Sequence, residues 1–276
     1  MKPAPFSYDR PRDLATALSL LAEDAGAKVM AGGQSLGPML NLRLVTPERI
    51  VDITAIADLK QADAHADELV LGACVTHADI EDGRVPDFTG GAMRHVAANI
   101  GYRAVRNRGT IGGSLSHADP AADWLSALSA LGGSVTLRSR AGTRKLAVST
   151  FVTGALESSL KAGELLVSIH VPQRAASAQW GYVKTCRKTG EFAHGLCAAL
   201  IDPAAGAARI VIGALDAAPI LIERLDEMFG GRVNGDYKTK FDRRVADHLL
   251  RSAGVADPVH RHIHLTVLTR AIAEAA

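Results

Sequence analysis

Cysteine is scarce in this chain of 276 residues, which has three of them, none in a CxxC pair. An odd number of widely spaced cysteines makes a disulfide framework improbable and fits a reducing compartment. A [2Fe–2S] cluster takes about four thiolate ligands, so the chain cannot hold one by itself. We interpret all three as small buried hydrophobic residues: Cys74, Cys186 and Cys197.

Long apolar runs and an excess of one charge are also lacking. No apolar run approaches the ~20 residues that a membrane-spanning helix needs, so we expect no integral membrane segment. The net charge is +2 with both signs mixed, which argues against nucleic acid or an anionic membrane as partner. The first residues have no apolar segment typical of a secretory signal, and we expect a cytoplasmic protein. Apolar residues make up 47% of the chain and aromatic residues 4%, so small aliphatic side chains must build the core.

Two common motifs of nucleotide binding are absent as well. The chain contains no G-x-G-x-x-G and no Walker A loop. Among its ten histidines, His260, His262 and His264 alternate. That spacing spreads side chains around a helix, so we expect solvated helix surface there rather than a metal site.

Two glycine turns stand out against this background, at residues 28–44 (KVMAGGQSLGPMLNLRL) and 106–123 (RNRGTIGGSLSHADPAAD). In each, a short apolar run breaks into Gly-Gly and continues into small or hydroxylated residues. Glycine allows positive φ and close approach of a ligand, and successive N–H groups in such turns bind anions. Either turn alone is more typical of an ordinary strand-to-helix connection. Together they predict two units that grip one elongated anionic ligand.

Most of the charged residues that flank the turns can be interpreted in two ways. Arg43, Arg106 and Arg108 either pair with phosphate or only make the rim soluble. Asp119, followed by proline, is a predicted N-cap of a helix over residues 120–131. Asp123, one turn later, either compensates the helix dipole or accepts from ribose hydroxyls or a base.

The apolar patterns predict a mixed α and β chain. Helical spacing marks residues 13–21, 236–250 and 258–273, and Thr76 is a plausible N-cap. Predicted strands cover residues 28–31, 49–53, 68–75, 135–138, 145–148 and 164–171. After a linker at 173–179, residues 181–187, 192–201 and 208–215 form a predicted antiparallel meander of three strands.

Five segments occur in the order and spacing of one family: AGGQSLGPMLNLRL, RIVDIT, LGACVTHADI, RNRGTIGGSLSHADPAAD and ELLVSIHVP. Over residues 3–215 the chain resembles the FAD-binding medium subunit of molybdenum hydroxylases, which include carbon monoxide dehydrogenase and xanthine dehydrogenase. The resemblance implies an α+β fold, namely a two-subdomain FAD-binding fold of the vanillyl-alcohol-oxidase (PCMH) type. A C-terminal α+β domain with a three-stranded antiparallel sheet and helices follows. The implied domains are residues 1–57, 58–174 and 178–276.

The same resemblance implies the FAD contacts. A first group would hold the pyrophosphate through backbone amides: Ala31, Gly32, Gly33, Gln34, Ser35 and Leu36. A second group would contact it from the other subdomain: Thr110, Ile111, Gly112, Gly113 and Ser114, with Ile100 and Gly101 nearby. Asp123 matches the position for adenosine contacts, Leu166 and Lys184 match positions near the flavin ring, and Phe192 falls where an aromatic meets the isoalloxazine. Ser114 replaces the Asn that is common after the second Gly-Gly, and Gln34 stands where His or Gln is found; neither residue removes a backbone donor. Glu191 stands where Asp is common in the family, in the surroundings expected for the flavin ring.

The implied role is electron relay, with no catalytic side chain and no metal ligand in this chain. A large subunit with molybdenum-pterin would hydroxylate the substrate, and a small subunit with two [2Fe–2S] clusters would pass electrons to FAD. FAD would hand them to a quinone, NAD⁺ or oxygen, in an assembly expected to be a dimer of heterotrimers. Two alternatives stay open: a free-standing flavin-dependent oxidoreductase, and a phosphate- or nucleotide-binding module without catalysis. On either enzymatic reading Lys184 is a cation beside the flavin's N1–C2 edge, or else a solvated strand residue.

Overall fold

The computed structural model describes residues 2–222 and 225–275. Its strands are β1 (Ser7–Asp9), β2 (Lys28–Met30), β3 (Arg49–Asp52), β4 (Ala62–Ala64), β5 (Glu68–Gly72), β6 (Ser134–Ser139), β7 (Gly142–Ala147), β8 (Val152–Gly154), β9 (Glu157–Ser158), β10 (Leu165–Pro172), β11 (Gln179–Thr185), β12 (Gly195–Asp202), β13 (Ala207–Gly213) and β14 (Ile220–Ile222). Its helices are α1 (Leu14–Glu23), α2 (Leu36–Asn41), α3 (His77–Glu81), α4 (Ala92–Ala98), α5 (Arg103–Arg106), α6 (Ile111–His117), α7 (Asp123–Ala130), α8 (Val148–Phe151), α9 (Asp226–Phe229), α10 (Tyr237–Lys240), α11 (Arg243–Ser252) and α12 (Pro258–Glu274).

A small parallel sheet of order β1-β3-β2 opens the chain. Helix α1 covers it because Ala17, Leu18 and Leu21 lie on one face of the helix and are buried. Asp13 caps this helix by accepting from the N–H of Thr16 at 2.8 Å. Since the strands are parallel, their carboxyl ends meet at one edge, and the first glycine turn leaves from that edge after β2.

A five-stranded antiparallel sheet of order β4-β5-β10-β6-β7 follows. Helices α6 and α7 bury their apolar residues in the same core as the central strands. The predicted N-cap at Thr76 is confirmed: Thr76 and Asp79 form a reciprocal capping box at the start of α3.

The third sheet, of order β11-β12-β13-β14, is antiparallel and is covered on both faces. Alternate residues of β12 point to opposite cores: Leu196 and Ala198 pack with α7, and Cys197 and Ala199 pack with α12. Burial on both faces explains the unbroken apolar run of this strand. The predicted meander is confirmed, but the count of three strands was wrong.

The fourth strand, β14, pairs with β13 at the sheet edge and lies outside the predicted strands. Its three apolar residues are too few to show a period of two. The single helix predicted over residues 236–250 is broken into α10 and α11, because the carboxylate of Asp242 accepts from the N–H of Arg244 at 2.8 Å and starts a new helix. Within residues 2–222 and 225–275, no helix is long and apolar enough to cross a membrane.

The helix predicted from residue 120 starts three residues later, at Asp123. The N-cap position is Ala122, in extended conformation. Asp119 instead accepts from the N–H of Ala121 at 2.9 Å and closes a turn before the helix. The prediction that Asp119 caps the helix was therefore wrong, and the consequence is that Asp123 lies in the first helical turn.

Candidate functional site

The two glycine turns lie against each other. A Cβ atom added to Gly32 would stand 1.9 Å from the carbonyl oxygen of Arg108 and 2.8 Å from the Cα of Gly109. On Gly113, a Cβ would stand 3.7 Å from the Cβ of Ala31. The chain therefore crosses itself here at backbone distance, which only glycine permits at position 32. The structure thus brings together two segments that the sequence only suggested were partners.

The first turn presents a row of backbone donors. Gly33 has φ +72°, and the carbonyl oxygens of the turn are tied back: Gly32 O accepts from Gln34 Nε2 at 3.1 Å and Gly33 O from the N–H of Gly37 at 2.9 Å. In the described part of the chain, five consecutive N–H groups donate to no protein acceptor: those of Gly32, Gly33, Gln34, Ser35 and Leu36. Such a concave run of N–H groups fits an anion such as the diphosphate of a dinucleotide.

The second turn differs, because most of its N–H groups are used within the protein. Those of Ile111 and Gly112 donate to the carbonyls of Val75 and Ala73, and those of Gly113 and Ser114 donate to Oγ1 and O of Thr110. Thr110 is thus the N-cap of α6. Its hydroxyl accepts from Gly113 and keeps its own proton to donate. The contact of residues 110–114 with a ligand stays a prediction. Because the N–H groups of residues 111–114 already donate within the protein, such a contact would use the Thr110 hydroxyl and van der Waals packing rather than backbone N–H donors.

Asp123 and Lys184, which the resemblance places at different parts of the cofactor, form one buried ion pair. Lys184 Nζ lies 2.9 Å from Asp123 Oδ1, and the Tyr182 hydroxyl donates to the same oxygen. Both charged side chains are 6–7% exposed. Burial raises the pKa of Asp123 and holds that of Tyr182 well above its ordinary value. The pair joins α7 to β11, and the predicted ligand contacts of its members stay predictions.

Lys184 also reaches the loop of residues 99–101, donating to the carbonyl of Asn99 at 3.0 Å. Gly101, in that loop, has φ +54° and meets a second loop: a Cβ on Gly190 would stand 2.4 Å from Gly101 O. This second loop carries Phe192, which is 61% exposed. The predicted residues Ile100, Gly101, Lys184 and Phe192 thus lie on neighbouring segments.

Leu166 is placed differently from these residues. It is 2% exposed in β10, opposite Leu137, and its side chain belongs to the core of the five-stranded sheet. A contact between Leu166 and a ligand, which stays a prediction, would use the backbone rather than the side chain.

The flanking arginines do not share one role. Arg108 is exposed, with its carbonyl oxygen against Gly32. Arg43 has φ +56° and donates from Nε to the carbonyl of Lys2 at 3.1 Å. Arg106 is nearly buried and paired with Glu81. For Arg106, therefore, the reading as a residue of the soluble rim is wrong.

Sequence reasoning missed His77, which supports the second turn. Its Nδ1 accepts from Trp124 Nε1 at 3.1 Å, and its backbone N–H donates to Gly109 O at 2.9 Å. A Cβ on Gly109 would stand 2.9 Å from the imidazole ring. Burial lowers the pKa of His77 to about 4, so the ring is neutral at pH 7. The only signal was its position after the N-cap Thr76, which says nothing of a partner 47 residues away.

Histidines of the tail do not gather into a metal site: across residues 2–222 and 225–275, no group of three or more His, Cys, Asp or Glu residues could hold a metal ion. His264 is 3% exposed, so the expectation of solvated helix surface was wrong for this residue. It faces β12, where a Cβ on Gly195 would stand 3.5 Å from its Nδ1.

Known proteins are similar to this chain in sequence. The sequence profile of the family described as the FAD binding domain in molybdopterin dehydrogenase matches residues 4–174. The chain is 34% identical over 241 residues to caffeine dehydrogenase subunit beta of Pseudomonas sp. (strain CBB1), covering 86% of this chain and 82% of that one. It is 31% identical over 226 residues to the carbon monoxide dehydrogenase medium chain of Hydrogenophaga pseudoflava, covering 81% and 79%.

Solved structures agree over the full chain. A carbon monoxide dehydrogenase chain from Hydrogenophaga pseudoflava matches with a TM-score of 0.89 at 27% identity, covering 100% of this chain and 98% of that one. Quinoline 2-oxidoreductase from Pseudomonas putida 86 matches with a TM-score of 0.85 at 31% identity, with the same coverage. The chain therefore belongs to the family of FAD-binding domains of molybdopterin dehydrogenases, as an FAD-binding oxidoreductase component of the medium-subunit type.

Proposed function

We propose that this chain binds one FAD between its two glycine turns and relays electrons within a molybdenum hydroxylase. The observation that carries the proposal is the row of five unpaired N–H groups at residues 32–36, held against the backbone of residues 108–109. A diphosphate would satisfy these donors without any side chain, as in other anion sites built from backbone amides. Family membership supports FAD as the diphosphate ligand.

The rest of the cofactor would extend towards residues 99–101. In this arrangement Thr110 and Gly113 would flank the diphosphate from the second turn, and Lys184, paired with Asp123, would hold the loop of residues 99–101 on the ring side. Phe192, which is 61% exposed, would be covered by a planar ring. The proposed domains are residues 1–57, 58–174 and 178–276, with the ligand between the first two and the loop of Phe192 contributed by the third.

FAD, when bound, accepts and returns electrons one or two at a time, which links one-electron clusters to two-electron acceptors. We infer a small partner subunit with [2Fe–2S] clusters as donor and a large partner with molybdenum-pterin as the place of substrate hydroxylation. A quinone, NAD⁺ or oxygen would take the electrons from FAD. The residues of this chain hold and orient the cofactor and shape its electrostatic surroundings. A dimer of heterotrimers is the proposed assembly, and a cytoplasmic location is expected with it.

The test is purification of the chain alone and in complex with its co-expressed large and small subunits. We expect flavin absorbance at about one FAD per chain in both preparations. In the complex, substrate should reduce the flavin, and the isolated chain with the same substrate should leave it oxidised. Reduction of the isolated chain by an organic substrate would instead support a free-standing flavin oxidoreductase. Absence of bound flavin from both preparations would refute the proposal.

A further inference from the structure

The loop of residues 99–101 is held by two cations from two different elements. Arg106 Nη1 donates to the carbonyls of Ile100 at 3.2 Å and Gly101 at 3.0 Å. Lys184 Nζ donates to the carbonyl of Asn99 at 3.0 Å. Three consecutive carbonyl groups are thus bound by side chains that are only 12% and 7% exposed. Two nearly buried cations therefore bind the backbone of one short loop.

Each cation is itself fixed by a carboxylate. Glu81, the last residue of α3, binds Arg106 through two parallel bonds, Nε–Oε2 at 2.7 Å and Nη2–Oε1 at 2.9 Å. This bidentate geometry holds the guanidinium plane in one orientation. The carboxylate of Asp123 likewise holds the ammonium group of Lys184 in place. Each cation binds a carboxylate and the loop carbonyls at the same time, so turning the carbonyls away would leave N–H donors of a nearly buried cation without an acceptor.

The orientation of these carbonyls decides where the N–H groups point. In a trans peptide the C=O and the following N–H point in opposite directions. With the Ile100 and Gly101 carbonyls turned to Arg106, the N–H groups of Gly101 and Tyr102 point away from it. In the part of the chain that is described, neither N–H donates to a protein acceptor. A carbonyl that accepts from a cation also polarises its own peptide and strengthens the N–H as donor.

We propose that Arg106, oriented by Glu81, is a positioning residue that aims the Gly101 and Tyr102 N–H groups at the electronegative edge of the flavin ring. The inference rests on the proposed function, because it assigns a role within the same site. Arg106 lies three residues before Gly109, so it also ties the loop to the start of the second glycine turn through α5. Its role is therefore neither phosphate binding nor solubility, the two readings that the sequence left open.

Three variants test the role of this arginine: Arg106→Gln removes the charge, Arg106→Lys keeps the charge without the planar fork, and Glu81→Gln loosens the fork's orientation. Arg103→Gln is the matched control, since Arg103 donates to Glu81 at 2.8 Å and to Asp82 but to no carbonyl of the loop. All are made in the full chain. The readouts are amide hydrogen exchange at residues 97–107 without FAD, the Kd for FAD, and the reduction potential of the bound flavin.

We expect Arg106→Gln to speed exchange at residues 100–102, to weaken FAD binding by about tenfold or more, and to shift the flavin potential to more negative values. Glu81→Gln and Arg106→Lys should shift each readout in the same direction but less. Arg103→Gln should match the wild type. If Arg106→Gln does not fold, the same three measurements on Arg106→Lys and Arg103→Gln are compared instead.

Two results would overturn the inference. One is a Kd for FAD and a flavin reduction potential that are unchanged from wild type in the folded Arg106 variants. The other is a change in Kd and potential in Arg103→Gln as large as in Arg106→Gln, which would mean that only net charge matters. Failure of the wild-type chain to bind FAD would refute the proposed function and the inference with it. Wild-type FAD binding with unchanged Arg106 variants refutes the inference alone.

Discussion

Acid should destabilise the fold through His77, the first residue of α3, whose side chain contacts Trp124 of α7 and which is 4% exposed. Trp124 Nε1 donates to its Nδ1, so that nitrogen must stay unprotonated. Burial, together with the charge of Arg106, lowers the pKa of His77 from 6.5 to about 4. As the pH falls, the unfolded chain binds a proton first. The folded state therefore loses stability from just above pH 6.5 down to about pH 4, and regains it as the pH rises.

The size of the effect follows from the two pKa values. At pH 5 the histidine is almost fully protonated in the unfolded chain and only about one-tenth protonated in the folded one. The difference between pH 7 and pH 5 amounts to about 2 kcal/mol of unfolding free energy. That is a large part of the ~5–15 kcal/mol that stabilises an ordinary domain. His264, whose pKa burial also lowers to about 4, adds a loss of the same sign.

Urea unfolding of the FAD-free chain at pH 7 and pH 5 measures this loss, because cofactor binding would add its own pH dependence. The test variant is His77→Gln, whose amide oxygen can accept from Trp124 without titrating. It should lose about 2 kcal/mol less than the wild type over this range, while His264 contributes equally to both. His65→Gln, at an exposed histidine, is the control. An equal pH dependence of His77→Gln and wild type would refute the reasoning.

The glycine contact and the buried ion pair give two further predictions. Gly32→Ala should lower FAD content and the melting temperature, because the new Cβ would stand 1.9 Å from Arg108 O. The control is Gly37→Ala, whose Cβ would meet nothing within 4 Å; it should keep its FAD and gain up to about 1 kcal/mol of unfolding free energy. Full FAD content in Gly32→Ala would contradict the close approach of the turns. Lys184→Met should cost about 3–5 kcal/mol in chemical unfolding by stranding Asp123; the double variant with Asp123→Asn should recover part of this, and no recovery would count against the pairing.

The glycine turns could be read from the sequence because their chemistry is local. Gly-Gly after an apolar run indicates a turn whatever surrounds it, and the predicted N-cap at Thr76 rests on the same kind of short-range pattern. Which N–H groups of the turns are free to bind a ligand could not be predicted, because the acceptors for Ile111 and Gly112 are the carbonyls of the distant residues 75 and 73. Whether a turn offers its amides to a ligand therefore depends on which strand end packs beside it.

Pairings between distant residues were beyond the sequence for a related reason. Asp123 and Lys184 are 61 residues apart, and each is ordinary in its own segment. The sequence-based readings of each as a solvated or helix-end charge were reasonable one by one. Only the packing of α7 against the third sheet puts the carboxylate and the ammonium together in a dry environment. Similarly, β14 is a strand because β13 offers it an edge and not because of its three residues.

Residues 99–123 connect all the parts that a ligand between the turns would touch. The carbonyl of Arg108 meets Gly32 of the first turn, Asp123 and Asn99 bind Lys184 of β11, and α7 packs on β12 and β13. A shift of the third sheet would therefore move the loop of residues 99–101 directly. Substitutions in β11 should thus alter the flavin site without contacting the first turn, because this single segment joins them.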